Sequence, residues 1–195
     1  MDNRPIGIFD SGLGGLTALK ELRSLMPGED LVYFGDTGRV PYGARSVETL
    51  RRFAMENIRF LKSHNVKMIV AACGTISSIM TDEMEQALDL PFTGVVKAAA
   101  KAACRATKTG RIGVIGTSAT VQSGSYARII GAERLDAQVF AHPCPLFVPL
   151  VENGYITKQM CQEADYGADP SYVDYEKVTK TKMALLREAF KSFTD

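Results

Sequence analysis

Apolar positions recur with two alternating rhythms along the chain, and the alternation predicts its elements. Pro5 to Phe9 reads as a short strand that runs into Asp10-Ser11-Gly12-Leu13-Gly14-Gly15. Leu16, Leu19, Leu22 and Leu25 then follow at helical spacing, and Met26-Pro27-Gly28 stops them. Leu31 to Phe34 is a second strand, leading into Gly35-Asp36-Thr37 and the loop Arg39-Val40-Pro41-Tyr42-Gly43. Ser46 to Asn65 reads as a long helix with Ser46 as its N-cap and Leu50, Phe53, Ile58 and Leu61 turned inward. Lys67 to Ala72 is a third strand, ending at Cys73-Gly74-Thr75 with a helix beyond it. Val95-Val96 is expected in a short strand, followed by an Ala-rich helix over 98–106. Arg111 to Ile115 and Gln138 to Phe140 complete the strands, the first running into Gly116-Thr117-Ser118 and a helix, the second into Pro143-Cys144-Pro145.

Strands alternating with helices of this size define an α/β fold with a mostly parallel sheet. Ile6-Gly7-Ile8-Phe9 and Ile112-Gly113-Val114-Ile115 also look like one unit used twice. The expected organisation is therefore two similar α/β halves, residues 1–97 and 98–195, meeting near residue 97.

Composition narrows the class without changing this picture. With 46% hydrophobic and 23% charged residues the chain of 195 matches ordinary globular proteins. A formal net charge of +1 without a Lys/Arg cluster disfavours a nucleic-acid partner. No apolar run approaches the roughly 20 residues of a membrane span, and the N-terminus lacks a hydrophobic signal region. A cytoplasmic location follows as the expectation. Cys73, Cys104, Cys144 and Cys161 form no CxxC pair and read as reduced thiols. With only His64 and His142 beside them, no metal site of usual spacing is expected. His64, at a helix end, is expected to serve the helix dipole, and His142 receives no role.

The candidate chemistry sits at three junctions of one design, in which a buried strand ends at a polar residue and small residues open a helix. They are Phe9-Asp10-Ser11-Gly12, Ala72-Cys73-Gly74-Thr75 and Ile115-Gly116-Thr117-Ser118. Parallel sheets bind ligands beyond the carboxyl ends of their strands, where helix-start N–H groups and hydroxyls favour an anion. Taken singly, each Ser or Thr is simply a helix cap; the three together point to a site. The glycine run 12–15 does not complete GxGxxG, since Thr17 stands where the last glycine belongs, and no GxxxxGK[ST] occurs. A small carboxylate is thus a better candidate than a nucleotide. Cys73 at a helix start is expected to have a lowered pKa and to act as nucleophile or base. A cysteine at a strand end is equally compatible with an inert small hydrophobe. Asp10 in the same crevice is placed to accept or relay a proton, to cap the following helix, or both.

Ile6-Gly7-Ile8-Phe9-Asp10-Ser11-Gly12-Leu13-Gly14-Gly15-Leu16, Tyr33-Phe34-Gly35-Asp36-Thr37, Val40-Pro41-Tyr42-Gly43 and the Cys-Pro-Leu-Phe-Val-Pro-Leu-Val-Glu of 144–152 resemble the glutamate racemases. The resemblance covers about residues 5–154. It implies two pseudo-symmetric three-layer domains with the active site between them, and cofactor-independent interconversion of L- and D-glutamate for peptidoglycan. In that family two cysteines on opposite faces of the substrate accept and donate the α-proton. Cys73 matches the first of them and Asp10 its assisting carboxylate. Asp10 again, Ser11, Pro41, Tyr42, Gly43, Gly74, Thr75 and Thr117 fall at substrate-binding positions. Glu152 matches a carboxylate on the second cysteine's side. The family leaves a homodimer open as the assembly.

Two departures accompany the match. Gly74 stands where the family usually has Asn, whose amide helps hold substrate. The family's second cysteine lies in a Gly-Cys-Thr-His stretch that this sequence lacks; Cys161, within Lys158-Gln159-Met160-Cys161-Gln162-Glu163, does not replace it. Cys144 is structural by resemblance, and Cys104 is expected to pack within its helix. The tail is expected to form an amphipathic helix carrying Met183, Leu186, Phe190 and Phe193, and the second domain to be incomplete, through truncation or divergence. Alternatives are therefore a racemase-fold module that binds an amino acid or dicarboxylate without inverting it, or a related aspartate racemase.

Overall fold

The computed structural model describes residues 2–152. Cys161 and the expected helix with Met183, Leu186, Phe190 and Phe193 lie outside the described residues. The first part runs β1 (Ile6–Asp10), α1 (Leu16–Leu25), β2 (Leu31–Gly35), a 3-10 turn (Thr37–Arg39), α2 (Val47–Ser63), β3 (Met68–Ala71), α3 (Gly74–Ile79), α4 (Asp82–Gln86) and β4 (Phe92–Gly94). It continues through α5 (Val95–Ala106), β5 (Arg111–Gly116), α6 (Ser118–Gln122), α7 (Ser125–Glu133), β6 (Gln138–Pro143) and α8 (Phe147–Glu152).

Four strands form one parallel sheet in the order β2-β1-β3-β4, and β5 pairs in parallel with β6 in a second. The α/β reading with parallel sheets is thus correct. The first sheet is packed on both faces, as parallel sheets require. Its period of two sends Ile6, Ile8, Val70 and Ala72 toward α1, where they meet Ala18 and Leu22. The intervening Phe9, Ile69 and Ala71 pack with Leu50, Phe53, Ile58 and Leu61 of α2 and Ile76 of α3. Ser46 caps α2 as expected, its hydroxyl accepting from the Thr49 N–H at 3.2 Å. In the second sheet Ile112 and Val114 pack with Ala100 of α5 and Ile130 of α7.

Several elements differ from the sequence expectation. The single helix expected after Ser118 is two, α6 and α7, parted at Gly124, whose φ is 64°, and β6 runs on to Pro143. Val95 and Val96 open α5, and the strand instead lies just before them at Phe92–Gly94. The reason is tertiary: the Ser77 hydroxyl of α3 accepts the Val96 N–H at 3.0 Å, which satisfies a helix start. A β-branched pair alone gave no sign of that partner. The short α4 was not anticipated; Thr81 caps it by accepting from the Met84 N–H. Nor was α8, which accommodates Pro149 in its first turn, where a missing N–H is harmless. Residue 97 falls in the first turn of α5, which packs on both α3 and α7.

Candidate active site

The register of the first sheet explains why distant residues converge. Asp10 pairs with Gly35 and Phe9 with Ala71, so β1, β2 and β3 end at one edge. Asp10, Asp36 and Cys73 emerge there, one from each strand. Asp10 Oδ2 accepts the N–H groups of Gly12 at 3.2 Å and Gly15 at 2.9 Å, folding the 11–15 loop over the strand end. Asp10 thus ties down the loop rather than capping the helix as expected: the N-cap of α1 is Gly15, with no side-chain cap hydrogen bond. Glycine is needed at 15 because a Cβ would stand 2.6 Å from Asp10 Cβ and 2.9 Å from the Tyr33 hydroxyl. The Tyr33 hydroxyl donates to the Gly12 carbonyl at 2.9 Å and holds the loop from the other side.

Cys73 is the residue before α3, and its side chain is 4% exposed. Its Sγ donates to Ser11 Oγ at 3.6 Å, which joins the first and second junctions. The expectation of a lowered thiol pKa is overturned. Burial pushes the Cys73 thiol up, and the neighbouring Asp10 charge pushes it further. The Ile76 N–H and the hydroxyl and N–H of Ser11 act in the opposite direction and do not prevail. A helix of only six residues adds little dipole to set against desolvation. The resting group is a protonated thiol surrounded by donors suited to its anion.

The third junction meets the second through hydroxyls. Thr75 Oγ1 and Thr117 Oγ1 share a hydrogen bond at 3.0 Å, and Thr117 Oγ1 lies 2.9 Å from Thr120 Oγ1. The Gly43 carbonyl accepts the Ala119 N–H at 3.2 Å. Gly43 comes so close that a Cβ would lie 2.6 Å from both Cβ and Cγ2 of Thr117. The structure therefore assembles Asp10, Ser11 and Cys73 in one group and Gly43, Thr75 and Thr117 in an adjoining one. Gly74 is exposed beside Cys73, with nothing within 4 Å of the position a Cβ would take. Pro41 is exposed after a cis Val40–Pro41 bond. Glu152 ends α8.

Tyr42, expected at a substrate-binding position, has its phenol turned inward. It is 2% exposed, packed against Phe53, and its hydroxyl donates to Asp36 Oδ2. Burial and the Asp36 carboxylate push this phenol up, so it stays neutral. Asp36, Arg39 and Asn57 thus belong to the site's framework, although their pairings were not read from the sequence. A signal existed for Asn57, an amide on the apolar stripe of α2 between Ala54 and Ile58. Among the described residues no group of three or more His, Cys, Asp or Glu is placed to hold a metal ion. No described helix is long and apolar enough to cross a membrane.

Fold and site define an α/β protein with a cysteine and a carboxylate at the carboxyl edge of a parallel sheet. The Asp/Glu/Hydantoin racemase family profile matches residues 17–149. Glutamate racemase of Chlorobaculum tepidum is 44% identical over 97% of this chain and 72% of its own length. That of Geobacter metallireducens is 45% identical over 80% of this chain but 58% of its own. The crystal structure of glutamate racemase from Francisella tularensis in complex with D-glutamate superimposes with a TM-score of 0.80 at 34% identity, covering 100% of this chain and 81% of that one. The chain belongs to the Asp/Glu/hydantoin racemase family, among the glutamate racemases, and spans little more than half to about three quarters of its curated relatives' lengths.

Proposed function

We propose that this chain acts on glutamate, with the Cys73 thiolate removing the α-proton in a cofactor-independent interconversion of L- and D-glutamate that supplies D-glutamate for peptidoglycan. The observation that supports it best is the Cys73 Sγ on Ser11 Oγ beside Asp10, at the edge where three strands end. In the step itself the sulfur lone pair takes the α-hydrogen as a proton. The C–H electrons remain on the α-carbon and spread into the adjoining carboxylate, and an S–H bond forms. A proton delivered to the opposite face completes inversion. The Cα proton is a weak acid, so a thiol pushed up by burial is the stronger base once ionised. Asp10 takes the role of relay for the thiol proton, and the substrate ammonium that of partner to the thiolate.

Ser11, Pro41, Tyr42, Gly43, Gly74, Thr75 and Thr117 surround the substrate in this reading, and Glu152 serves the second face. Glutamate then lies between units 1–97 and 98–195, in the cytoplasm, where thiols stay reduced. A homodimer is the assembly to test by ultracentrifugation. One feature favours a second reading: no Gly-Cys-Thr-His stretch occurs in the 195 residues. A chain with a single thiol base returns the proton to the face it left, exchanging hydrogen without inversion. Incubating each glutamate enantiomer in deuterated water separates the cases. Label with inversion supports the two-base reaction, and label with retention supports the one-base protein. Binding without label reduces it to a binding module, and neither binding nor label sinks the proposal.

A further inference from the structure

The Tyr42 phenol is held inside the protein by groups that are buried in their turn. Asn57, 1% exposed on the inward side of α2, donates from Nδ2 to the Tyr42 hydroxyl oxygen at 3.1 Å. Its Oδ1 accepts from Arg39 Nη2 at 2.9 Å. Arg39 in turn donates from Nε to Asp36 Oδ2 at 2.6 Å, binds Glu56 through Nη1, and lies over the Phe53 ring 4.1 Å from its centroid. Asp36 accepts from both Arg39 and Tyr42, so both ends of the 36–42 segment are tied to α2. The next residue, Gly43, is the one that meets Thr117 and Ala119.

Hydrophobic residues flank Asn57 on its own stripe: Phe53, Ala54, Ile58 and Leu61 are all buried. An apolar side chain there would fill the space without desolvating an amide. A buried amide with both ends satisfied specifies a geometry more than it adds burial. The path from α2 runs through Asn57 to the Tyr42 oxygen and then along one peptide unit to Gly43.

We propose that Asn57 is a positioning residue for substrate: acting through the Tyr42 phenol, it sets the Pro41–Gly43 segment against Thr117 and so orients that segment toward glutamate. The inference rests on the reading above, in which residues 41–43 contact the substrate. Asn57 touches no reacting atom. Its effect is on ground-state and transition-state binding alike, a change in KM without a change in kcat.

The test compares Asn57→Leu, which keeps the number of side-chain heavy atoms but is bulkier, and Asn57→Ala, which is milder if the larger side chain impairs folding. Glutamate affinity is followed by calorimetry, α-deuteration at saturating glutamate by mass spectrometry, and amide exchange by peptide. The expected result is affinity weakened about tenfold, the loss of one or two buried hydrogen bonds. Faster amide exchange confined to the 36–43 segment accompanies it, with the saturated deuteration rate within about twofold of the unaltered chain. Combined with Tyr42→Phe, either change has no further effect on affinity, because the phenol is the intermediary. A lower melting temperature with unchanged affinity overturns the inference, as do effects that add to those of Tyr42→Phe. If the unaltered chain binds glutamate and the variants bind it equally, this inference alone fails. If the unaltered chain binds no glutamate, the proposed function fails with it.

Discussion

The two sheets begin from nearly the same four residues and end in different surroundings. Ile6-Gly7-Ile8-Phe9 of β1 and Ile112-Gly113-Val114-Ile115 of β5 both send their first and third residues into a core. The other two positions diverge. Phe9 is fully buried and a Cβ on Gly7 would lie 3.1 Å from Val66 Cγ1, whereas Ile115 is 63% exposed and nothing lies within 4 Å of a Cβ on Gly113. Phe140, paired with Gly113 and on the same side, is 52% exposed. A strand's pattern establishes which residues share a face. Whether that face is buried depends on what the rest of the chain lays over it, α2 in one case and no described element in the other.

The comparison can be broken most sharply at the thiols. Cys73 lies at the edge of the doubly covered sheet and Cys144 just beyond the singly covered one. Cys73→Ser should slow α-hydrogen exchange by about 10²–10⁴, the usual worth of a positioned acid–base group, while Cys144→Ser should leave it nearly unchanged. Equal losses would move the chemistry to the second region. Core truncation comes next. Phe9→Ala should cost about 3–5 kcal/mol in urea denaturation, against about 0.5 kcal/mol or less for Ile115→Ala. Similar costs would mean that the second sheet's open face is covered in solution.

At the seam between the regions, Gly43→Ala forces a methyl into Thr117 and should cost about 1–3 kcal/mol, weakening glutamate binding along with stability. Normal affinity in this variant would remove Gly43 from the site. Smaller again, Gly74→Asn places its Cβ where nothing lies within 4 Å and should tighten glutamate binding about fivefold, the net worth of one hydrogen bond. Weaker binding would show that the open space beside Cys73 does not face substrate.

The smallest effect is a pH shift. Because burial and Asp10 raise the folded-state Cys73 thiol, its stabilising contribution is complete below the ordinary thiol range. It is lost as pH rises through the raised value. Alkylation of Cys73 should accordingly begin at higher pH than that of a free thiol. Asp10→Asn should move the onset down and Ser11→Ala should move it up. An onset below the free-thiol range would restore the expectation drawn from helix position alone.

Much of the first region is legible in the sequence itself. Leu50, Phe53, Ile58 and Leu61 announce the buried face of α2, Ser46 its cap, and Asp10 and Cys73 the strand ends where ligands gather. Those signals are local, since a helix or strand writes its own period into its neighbours in sequence. The start of α5 was illegible because Ser77, its partner, lies 18 residues before Val95. The pairings of Tyr42 were hidden likewise, since Asn57 stands 15 residues away on another element.

What the amino-acid order determined alone was the kind and succession of elements, the residues able to carry acid–base chemistry, and the family likeness in motif and spacing. Tertiary structure decided the environment of those residues. It set the protonation of Cys73, turned the Tyr42 phenol inward, and brought Thr75 against Thr117. The physical reason is that desolvation and hydrogen bonding depend on what surrounds a group in space. For a buried thiol those surroundings outweigh the few helix-end amides that its own stretch of chain supplies.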